Sequence, residues 1–266
     1  MSESLLKGRV AVISGALGDI GRAVALEIAR LGADVAMSDL AAPVRAEDLL
    51  RAVKAMGRAA TYSSVDVTDA GEVERWAESV QRELGLGTLV IPCAATVTVE
   101  SVRELTAEKW RRELDVNLSG SFFVAQAWVR RMLAAERDGR VVFVGSWAAS
   151  VPHAHVPAYS VSKAGVRMLC QCMALDLART GILVNEVAPG YVDAGLSAAV
   201  FREKAGARES AERRVPTGRL ITPEDVAGQV AYLCTYASRH MTGTVLLMDG
   251  GLSLGAAQTS TDGGAR

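Results

Sequence analysis

"RVAVISGALGDIG", residues 9–21, joins an apolar, β-branched run to a glycine-rich turn and then to a helix-forming stretch. The run over 9–14 is apolar almost throughout, which is typical of a strand that is covered on both faces. Gly15, Gly18 and Gly21 let the backbone turn sharply, and the N-terminus of the next helix offers unpaired N–H groups to a pyrophosphate. This strand–turn–helix context predicts a parallel sheet that begins with a dinucleotide-binding turn.

Strand-like runs alternate with longer helical stretches along the rest of the chain. This order implies right-handed βαβ crossovers, so we predict an α/β fold with a doubly wound parallel sheet of about seven strands and helices on both faces. No linker or composition shift divides the chain, and we predict one domain over residues 1–255 and a disordered tail over 256–266. The predicted strands are 9–14, 34–38, 60–65, 88–94, 140–146, 182–187 and 244–249, and the predicted helices are 20–31, 44–56, 69–84, 106–134, 158–180 and 223–236.

The composition excludes several classes of protein. The chain has 266 residues, of which 22% are charged, and its net charge of −1 gives no global attraction to nucleic acid or to anionic membranes. No apolar run approaches the roughly 20 residues that a membrane span needs, and the N-terminus lacks a secretory signal. The four cysteines show no disulfide spacing. We therefore expect a cytoplasmic protein with reduced thiols that binds neither nucleic acid nor membranes.

A carboxylate follows the glycine turn at a distance that suits adenosine binding. Asp39 ends the second predicted strand, eighteen residues after Gly21, where it can accept both ribose hydroxyls. It would also repel a 2′-phosphate, and no Arg or Lys lies in the loop or directly after Asp39. The sequence therefore favours NAD over NADP, although Asp39 could also be a turn residue at a strand end.

"YSVSK", residues 159–163, begins the fifth predicted helix and places Tyr159 and Lys163 on one helix face. An ammonium about 5 Å from the phenol contributes roughly 3 kcal/mol, which would lower the tyrosine pKa by about two units. Tyr159 could then exchange a proton with an alcohol or carbonyl while a hydride moves to or from a nicotinamide. Ser146 ends the fifth predicted strand and could orient the substrate oxygen, or it could simply cap the strand end.

These motifs resemble those of the short-chain dehydrogenase/reductase (SDR) family over residues 7–254. Beyond the glycine turn and the Ser–Tyr–Lys set, the similar stretches are "VDVTD" (65–69), "DVNLSGSFF" (115–123), "PGYV" (189–192) and "TGTVLLMDGG" (242–251). The resemblance implies a Rossmann sheet, an oxidoreductase acting on CH–OH groups, and a homotetramer with dimer contacts through the helices at 106–134 and 158–180.

The resemblance also assigns roles to residues. Asn117 would hold a water that relays protons from Lys163, which makes the implied catalytic set Asn117, Ser146, Tyr159 and Lys163. Val192 and the turn at 189–190 would face the nicotinamide carboxamide. The full set of implied cofactor-binding residues is Gly15, Gly18, Asp19, Ile20, Gly21, Asp39, Leu40, Asp66, Val67, Cys93, Ala94, Ala95, Tyr159, Lys163, Pro189, Gly190 and Val192.

Three departures from the family pattern affect cofactor binding. Asp19 replaces a glycine of the turn, and we expect its carboxylate to point away from pyrophosphate as an N-cap. "PCAA" (92–95) replaces asparagines that brace the fourth strand, so Pro92 and Cys93 must be accommodated by other packing. Ala194 replaces a threonine that commonly bonds the carboxamide.

The substrate pocket is expected from residues 93–100, 146–156 and 191–216. Candidate substrate contacts are Ser146, Trp147, His153, Tyr159 and Leu196. Trp147 could instead pack beside the strand end, and His153 and His155 could be solvent-exposed loop residues; they lack a third ligand for zinc, and we expect no metal. The stretch 191–216 is either a lid over the pocket or a surface helix.

We predict an NAD-dependent oxidoreductase that interconverts a small secondary alcohol, such as a sugar, polyol or cyclic alcohol, and its ketone or lactone. One alternative is a 3-oxoacyl-thioester reductase, which would prefer NADPH and basic surface patches, whereas Asp39 favours NAD. The alternative from another class is a catalytically idle NAD-binding sensor or scaffold.

Overall fold

The computed structural model describes residues 5–195 and 206–255. Its seven strands form one sheet in the order β3-β2-β1-β4-β5-β6-β7, and every neighbouring pair is parallel. The strands are β1 (Val10–Ser14), β2 (Asp34–Asp39), β3 (Ala60–Ser64), β4 (Gly87–Pro92), β5 (Gly139–Val144), β6 (Ile182–Pro189) and β7 (Val245–Met248). All seven predicted strands are confirmed.

Helices cover both faces of this sheet, which confirms the doubly wound α/β prediction. They are α1 (Asp19–Arg30), α2 (Glu47–Ala55), α3 (Ala70–Glu83), α4 (Ala107–Leu114), α5 (Gly120–Ala134), α6 (Pro157–Asp176), α7 (Ala207–Arg214), α8 (Pro223–Cys234) and α9 (Leu252–Gly255). None of the helices in the described ranges is long and apolar enough to cross a bilayer.

Two hydrophobic cores lie on opposite faces because successive strand residues point in opposite directions. In β1, Ala11 and Ile13 pack with α1, α2 and α8, whereas Val10 and Val12 pack with α3, α5 and α6. Both sets are buried. This is why the strand reads as a continuous apolar run and not as an alternating one.

The single helix predicted over 106–134 is interrupted. A π-helical turn, Asp115–Ser119, separates α4 from α5. Such turns are rare and frequently occur at functional sites. No residue pattern in "LDVNLSG" distinguishes it from regular helix, so the periodicity predicted only the helical run.

From β1 the strands are added outward in one direction to β3, and from β4 they are added in the other direction to β7, so the strand order reverses between β1 and β4. Ligands of open α/β sheets bind at such a point, outside the carboxyl ends of the strands. Within the stretch 191–216, the structure describes α7, a mostly exposed helix whose Ala211 is buried. Leu196 and the rest of residues 196–205, the middle of the stretch predicted as a lid or a surface helix, lie outside the described residues, as does the predicted tail over 256–266.

Candidate active site

A cleft of about 420 Å³ opens at the carboxyl ends of the strands. It is lined by residues from the glycine turn, from the ends of β2 through β6 and from the start of α6. Among the predicted site residues, those that line it are Gly15, Gly18, Asp19, Ile20, Gly21, Asp39, Leu40, Asp66, Val67, Cys93, Ala94, Ala95, Ser146, Tyr159, Lys163, Pro189, Gly190 and Val192. The fold thus brings together residues that are far apart in the sequence.

The glycine turn packs directly on the segment after β4. Gly15 has φ +66°, and a Cβ atom there would lie 2.6 Å from the Cα and N atoms of Ala94. A Cβ at Gly21 would lie 2.2 Å from the Gly15 carbonyl oxygen. Both positions therefore need glycine for different reasons, one for its backbone conformation and the close contact, the other for helix–turn packing.

Asp19 is the first residue of α1 and not its N-cap, which corrects the sequence prediction. Gly18 occupies the N-cap position, with extended backbone and no side-chain hydrogen bond. The Asp19 carboxylate is instead turned across the cleft, where Oδ2 accepts a hydrogen bond of 2.6 Å from the backbone N–H of Gly195. The carboxylate therefore bonds Gly195, 176 positions away in the sequence, and not the N–H groups at the start of its own helix.

Asp39 is anchored to the glycine turn. Its Oδ2 atom accepts a hydrogen bond of 3.1 Å from the Leu17 N–H, and its Oδ1 atom accepts one of 3.4 Å from the Ala41 N–H. The carboxylate therefore has a fixed place in the cleft at the end of β2, which lies three positions in the sheet from β5 and the Ser146 turn beside Tyr159. Nearby, Asp66 Oδ1 is bonded by the N–H and hydroxyl of Thr68 at 2.9 and 2.7 Å, which fixes the turn after β3.

Tyr159 and Lys163 lie on the same face of α6, one turn apart, as predicted. The Lys163 Nζ atom lies 5.6 Å from the Tyr159 ring centroid and donates a hydrogen bond of 2.8 Å to the Val144 carbonyl. That bond holds the ammonium at the end of β5, close to the phenol ring.

The expected lowering of the Tyr159 pKa is not found in this cleft. Burial raises the pKa of Tyr159 to about 12, and the opposing effect of the Ser146 hydroxyl is smaller. Burial also lowers the pKa of Lys163. The sequence-based estimate counted the attraction of the ammonium but not the loss of hydration around both groups, which is larger here.

Ser146 follows β5 and has a structural role, while its proposed contact with a substrate oxygen stays a prediction. Its Oγ atom accepts a hydrogen bond of 3.1 Å from the Ala148 N–H, which caps the short 3₁₀ turn Trp147–Ala149. The same side chain lines the cleft beside Tyr159. A serine hydroxyl that accepts one bond from the backbone still has its own proton to donate.

Asn117 lies behind the cleft wall in the π-helical turn and is fully buried. Its Oδ1 atom accepts from the Thr96 N–H at 2.8 Å, and its Nδ2 atom donates to the Thr96 carbonyl and the Ser162 hydroxyl at 2.9 and 3.0 Å. The side chain thus braces the segment after β4 against α6. The proton relay implied by the family resemblance stays a prediction.

The departures at Pro92 and Cys93 are accommodated by local contacts. Pairs between β4 and β5 end at Val90, so Pro92 lies past that ladder and its missing N–H removes no bond there. The Cys93 N–H donates to the Ser14 carbonyl at 3.2 Å. The contact between β1 and β4 therefore continues one residue past Pro92.

Trp147 is buried and packs against other side chains. It contacts the rings of His153 and Tyr191 edge-on, at centroid distances of 4.5 and 5.3 Å. His153 is half-buried and its Nδ1 atom lies 2.7 Å from the Val151 carbonyl, whereas His155 is exposed. Contact of Trp147 or His153 with a substrate stays a prediction.

Sequence reasoning missed several residues of the site. Arg112 and Val116 line the cleft, although both lie in a charged helical stretch that reads as a surface. Glu113 is fully buried, and its Oε2 atom accepts a hydrogen bond of 2.9 Å from the Thr98 N–H. Burial raises the pKa of Glu113. Only the four-residue spacing of Glu113 and Asn117 hinted that both face the segment after β4.

The donor set of the cleft fits a dinucleotide. The first N–H groups of α1 have no intrahelical partners, and no side chain within the described ranges caps them. Gly18 lines the cleft at this point, and a Cβ there would meet only the Gly15 carbonyl oxygen, at 3.5 Å, so backbone can approach a phosphate. A carboxylate stands at one end of the cleft and a tyrosine–lysine pair at the other.

Comparison with known proteins agrees with this geometry. The family model described as enoyl-(acyl carrier protein) reductase matches residues 15–253. A short-chain type dehydrogenase/reductase from Mycobacterium marinum has a similar structure, with a TM-score of 0.86, 30% identity, and coverage of 93% of this chain and 96% of that chain. The chain belongs to the short-chain dehydrogenase/reductase family.

Two further SDR relatives indicate the chemistry. Cis-4-hydroxycyclohexanecarboxylate dehydrogenase of Sinomonas cyclohexanicum is 36% identical over 91% of this chain and 96% of its own length. A gluconate 5-dehydrogenase from Burkholderia cenocepacia J2315, solved with NADP and tartrate, has a TM-score of 0.88 and 28% identity, covering 95% of this chain and 98% of that chain. This SDR is an NAD(P)-dependent oxidoreductase that acts on the CH–OH group of a secondary alcohol or on its ketone.

Proposed function

We propose that this SDR prefers NAD and interconverts a small sugar, polyol or cyclic alcohol with its ketone or lactone, using Tyr159 as the general acid/base. The observation that carries the proposal is the juxtaposition of Tyr159, Lys163 and Ser146 at one end of the cleft that holds Asp39 at the other. When bound, the cofactor supplies or accepts the hydride at its nicotinamide ring.

The chain's own residues manage the proton and the substrate oxygen. In the oxidative direction, the O–H bond of the alcohol breaks and its proton passes to the Tyr159 phenolate oxygen; in reduction, Tyr159 returns that proton to the carbonyl oxygen. Ser146 donates a hydrogen bond to the same oxygen, which stabilises the negative charge that develops there. Lys163, held by the Val144 carbonyl, stabilises the phenolate form electrostatically.

Residues along the cleft are proposed to hold the cofactor in a fixed direction. The glycine turn and the N-terminus of α1 receive the pyrophosphate, and Asp39 receives the adenosine ribose. Asp66 and Val67 border the adenine, and the segment 189–192 borders the nicotinamide. Since Asp39 would repel a 2′-phosphate, a 3-oxoacyl-thioester reductase that depends on NADPH is the less favoured reaction.

Assembly and location complete the proposal. The α6 helix presents Val161, Met168 and Leu175 at 47%, 59% and 82% exposure, spaced seven residues apart on one face. Such an apolar stripe favours association of copies, and we propose a homotetramer. The four cysteines are free thiols, which suits the reducing cytoplasm.

The test is a comparison of two tyrosine variants. Tyr159→Phe should lower kcat about 100- to 10,000-fold on a panel of cyclic alcohols and sugars, followed by NADH absorbance, while NAD binding is retained. Tyr236→Phe is the matched control because Tyr236 is 75% exposed and lies outside the cleft. Wild-type turnover by Tyr159→Phe would refute the assigned acid/base, and turnover with NADP alone would refute the role of Asp39.

A further inference from the structure

A buried ion pair lies directly beneath the turn that bears Ser146, and the proposed chemistry does not use it. Arg167 on α6 bonds Glu186 on β6 in bidentate fashion, with Nη2–Oε1 at 2.9 Å and Nε–Oε2 at 3.1 Å. The Glu186 side chain is 0% exposed and that of Arg167 is 17% exposed. Bidentate guanidinium–carboxylate pairs have a defined geometry, so this pair fixes the direction of the Arg167 fork.

The Arg167 guanidinium bonds both ends of the turn over residues 146–150. Its Nη2 atom donates a hydrogen bond of 3.1 Å to the Ser146 carbonyl, and its Nη1 atom bonds the Ser150 hydroxyl. Residues 146–150 lie outside the sheet and include only a short 3₁₀ turn. Arg167 is therefore a link between this turn and α6.

The same helix presents the reacting groups. Tyr159, Lys163 and Arg167 follow one another at intervals of four residues, so they occupy successive turns of one face. Gly145, which precedes Ser146, also leaves the space that the Glu186 carboxylate occupies. A Cβ atom at Gly145 would lie 2.0 Å from Glu186 Oε1, so only glycine leaves room for this carboxylate.

We propose that Arg167, oriented by Glu186, is a positioning residue that fixes the Ser146 hydroxyl relative to Tyr159. The proposal rests on the proposed roles of Ser146 and Tyr159. The Arg167 hydrogen bonds join the serine-bearing turn to the tyrosine-bearing helix, so their loss would let the two hydroxyls move apart. Misplacement by about 1 Å is enough to cost on the order of 100-fold in rate.

A general contribution to stability is the competing explanation. Removing one partner of a buried pair leaves an unpaired charge and destabilises the protein, whereas replacing both with apolar residues of similar volume is often neutral. The double variant Arg167→Met/Glu186→Met therefore removes the link with little expected change in Tm. Arg167→Lys in the same assay keeps the charge but loses the fork.

The decisive experiment is a cycle with Ser146→Ala. If Arg167 acts through Ser146, Arg167→Met/Glu186→Met should lower kcat about 10- to 100-fold in the wild-type background, yet about 2-fold or less in Ser146→Ala. The Kd for NAD should stay within about 2-fold in every variant, because Arg167 does not line the cleft. Arg167→Lys should recover part of the lost kcat.

A second ion pair provides the control. Arg131 on α5 bonds Glu74 on α3 at 2.8 Å, and neither residue lines the cleft, so Arg131→Met/Glu74→Met should leave kcat unchanged. Equal losses of kcat in both backgrounds, or no loss in the wild-type background, would overturn the positioning role alone. Wild-type turnover by Ser146→Ala itself would overturn the proposed role of Ser146, and the positioning role with it.

Discussion

The Asp19 carboxylate accepts a hydrogen bond of 2.6 Å from the backbone N–H of Gly195, and this bond joins two walls of the cofactor cleft. Asp19 begins α1, and Gly195 follows β6 with φ +57°. Both residues line the cleft. The aspartate that replaces a glycine of the family turn thus has a partner of its own, in the segment after β6 that we propose borders the nicotinamide.

Substitution of Asp19 should separate its charge from its hydrogen bond. Asp19→Asn keeps an acceptor for Gly195 and removes a negative charge near the pyrophosphate, so we expect NAD to bind as tightly as in the wild type or more tightly. Asp19→Ala removes the charge and also the acceptor, so its Kd for NAD should be about 3-fold higher than that of Asp19→Asn, since an exposed hydrogen bond contributes little. Isothermal titration of both variants with NAD provides the measurement. Equal Kd values for Asn and Ala would show that the bond to Gly195 does not matter.

The charge of Asp39 should set the cofactor preference. Asp39→Asn keeps its amide oxygen as the acceptor for the Leu17 N–H, loses the weaker bond from the Ala41 N–H, and no longer repels a 2′-phosphate. The ratio of kcat/KM for NAD to that for NADP should fall about 10-fold or more. Asp34→Asn, at the opposite end of β2, is the matched control and should leave the ratio unchanged. A ratio unaffected by Asp39→Asn would contradict the proposed role.

The pH dependence should differ between the two directions. Because burial raises the pKa of Tyr159 to about 12, the phenol is protonated at neutral pH and the phenolate fraction grows as the pH rises. Alcohol oxidation needs the phenolate, so log kcat/KM should increase with pH, whereas ketone reduction needs the phenol and should stay flat until alkaline pH. Lys163→Met should move the oxidative rise to higher pH, because the ammonium favours the phenolate. An oxidative profile that is flat from neutral to alkaline pH would be inconsistent with this assignment.

Gly15 should not tolerate a side chain, because both its backbone conformation and its contact with Ala94 require glycine. In Gly15→Ala, the new Cβ meets the Ala94 backbone at 2.6 Å, and φ is +66°. Gly57→Ala is the control, since Gly57 has a similar φ of +73° but nothing within 4 Å of a Cβ. We expect Gly57→Ala to cost about 1–2 kcal/mol in unfolding free energy and Gly15→Ala to cost more and to weaken NAD binding. Denaturant unfolding of both variants measures the difference. Equal losses of unfolding free energy would mean that the Ala94 backbone can move to accommodate the new Cβ without a measurable penalty.

The sequence by itself determined the features that depend on residues close together in the chain. Apolar runs and helical periods predicted all seven strands, the parallel sheet and the helices on its two faces, because periodicity directly reflects which faces are buried. The glycine spacing predicted the turn, and the four-residue interval placed Tyr159 and Lys163 on one face of α6. These are local geometric consequences of strand and helix.

Only the tertiary structure decided what depends on distant partners. The Asp19 carboxylate bonds Gly195 and does not cap its own helix. Glu113 is fully buried although it lies in a charged helix, and Arg167 pairs with Glu186 below the Ser146 turn. The direction of the Tyr159 pKa shift was wrong from the sequence for the same reason. Desolvation sums over every element packed around a group, and that sum exists only once the sheet and its helices have assembled.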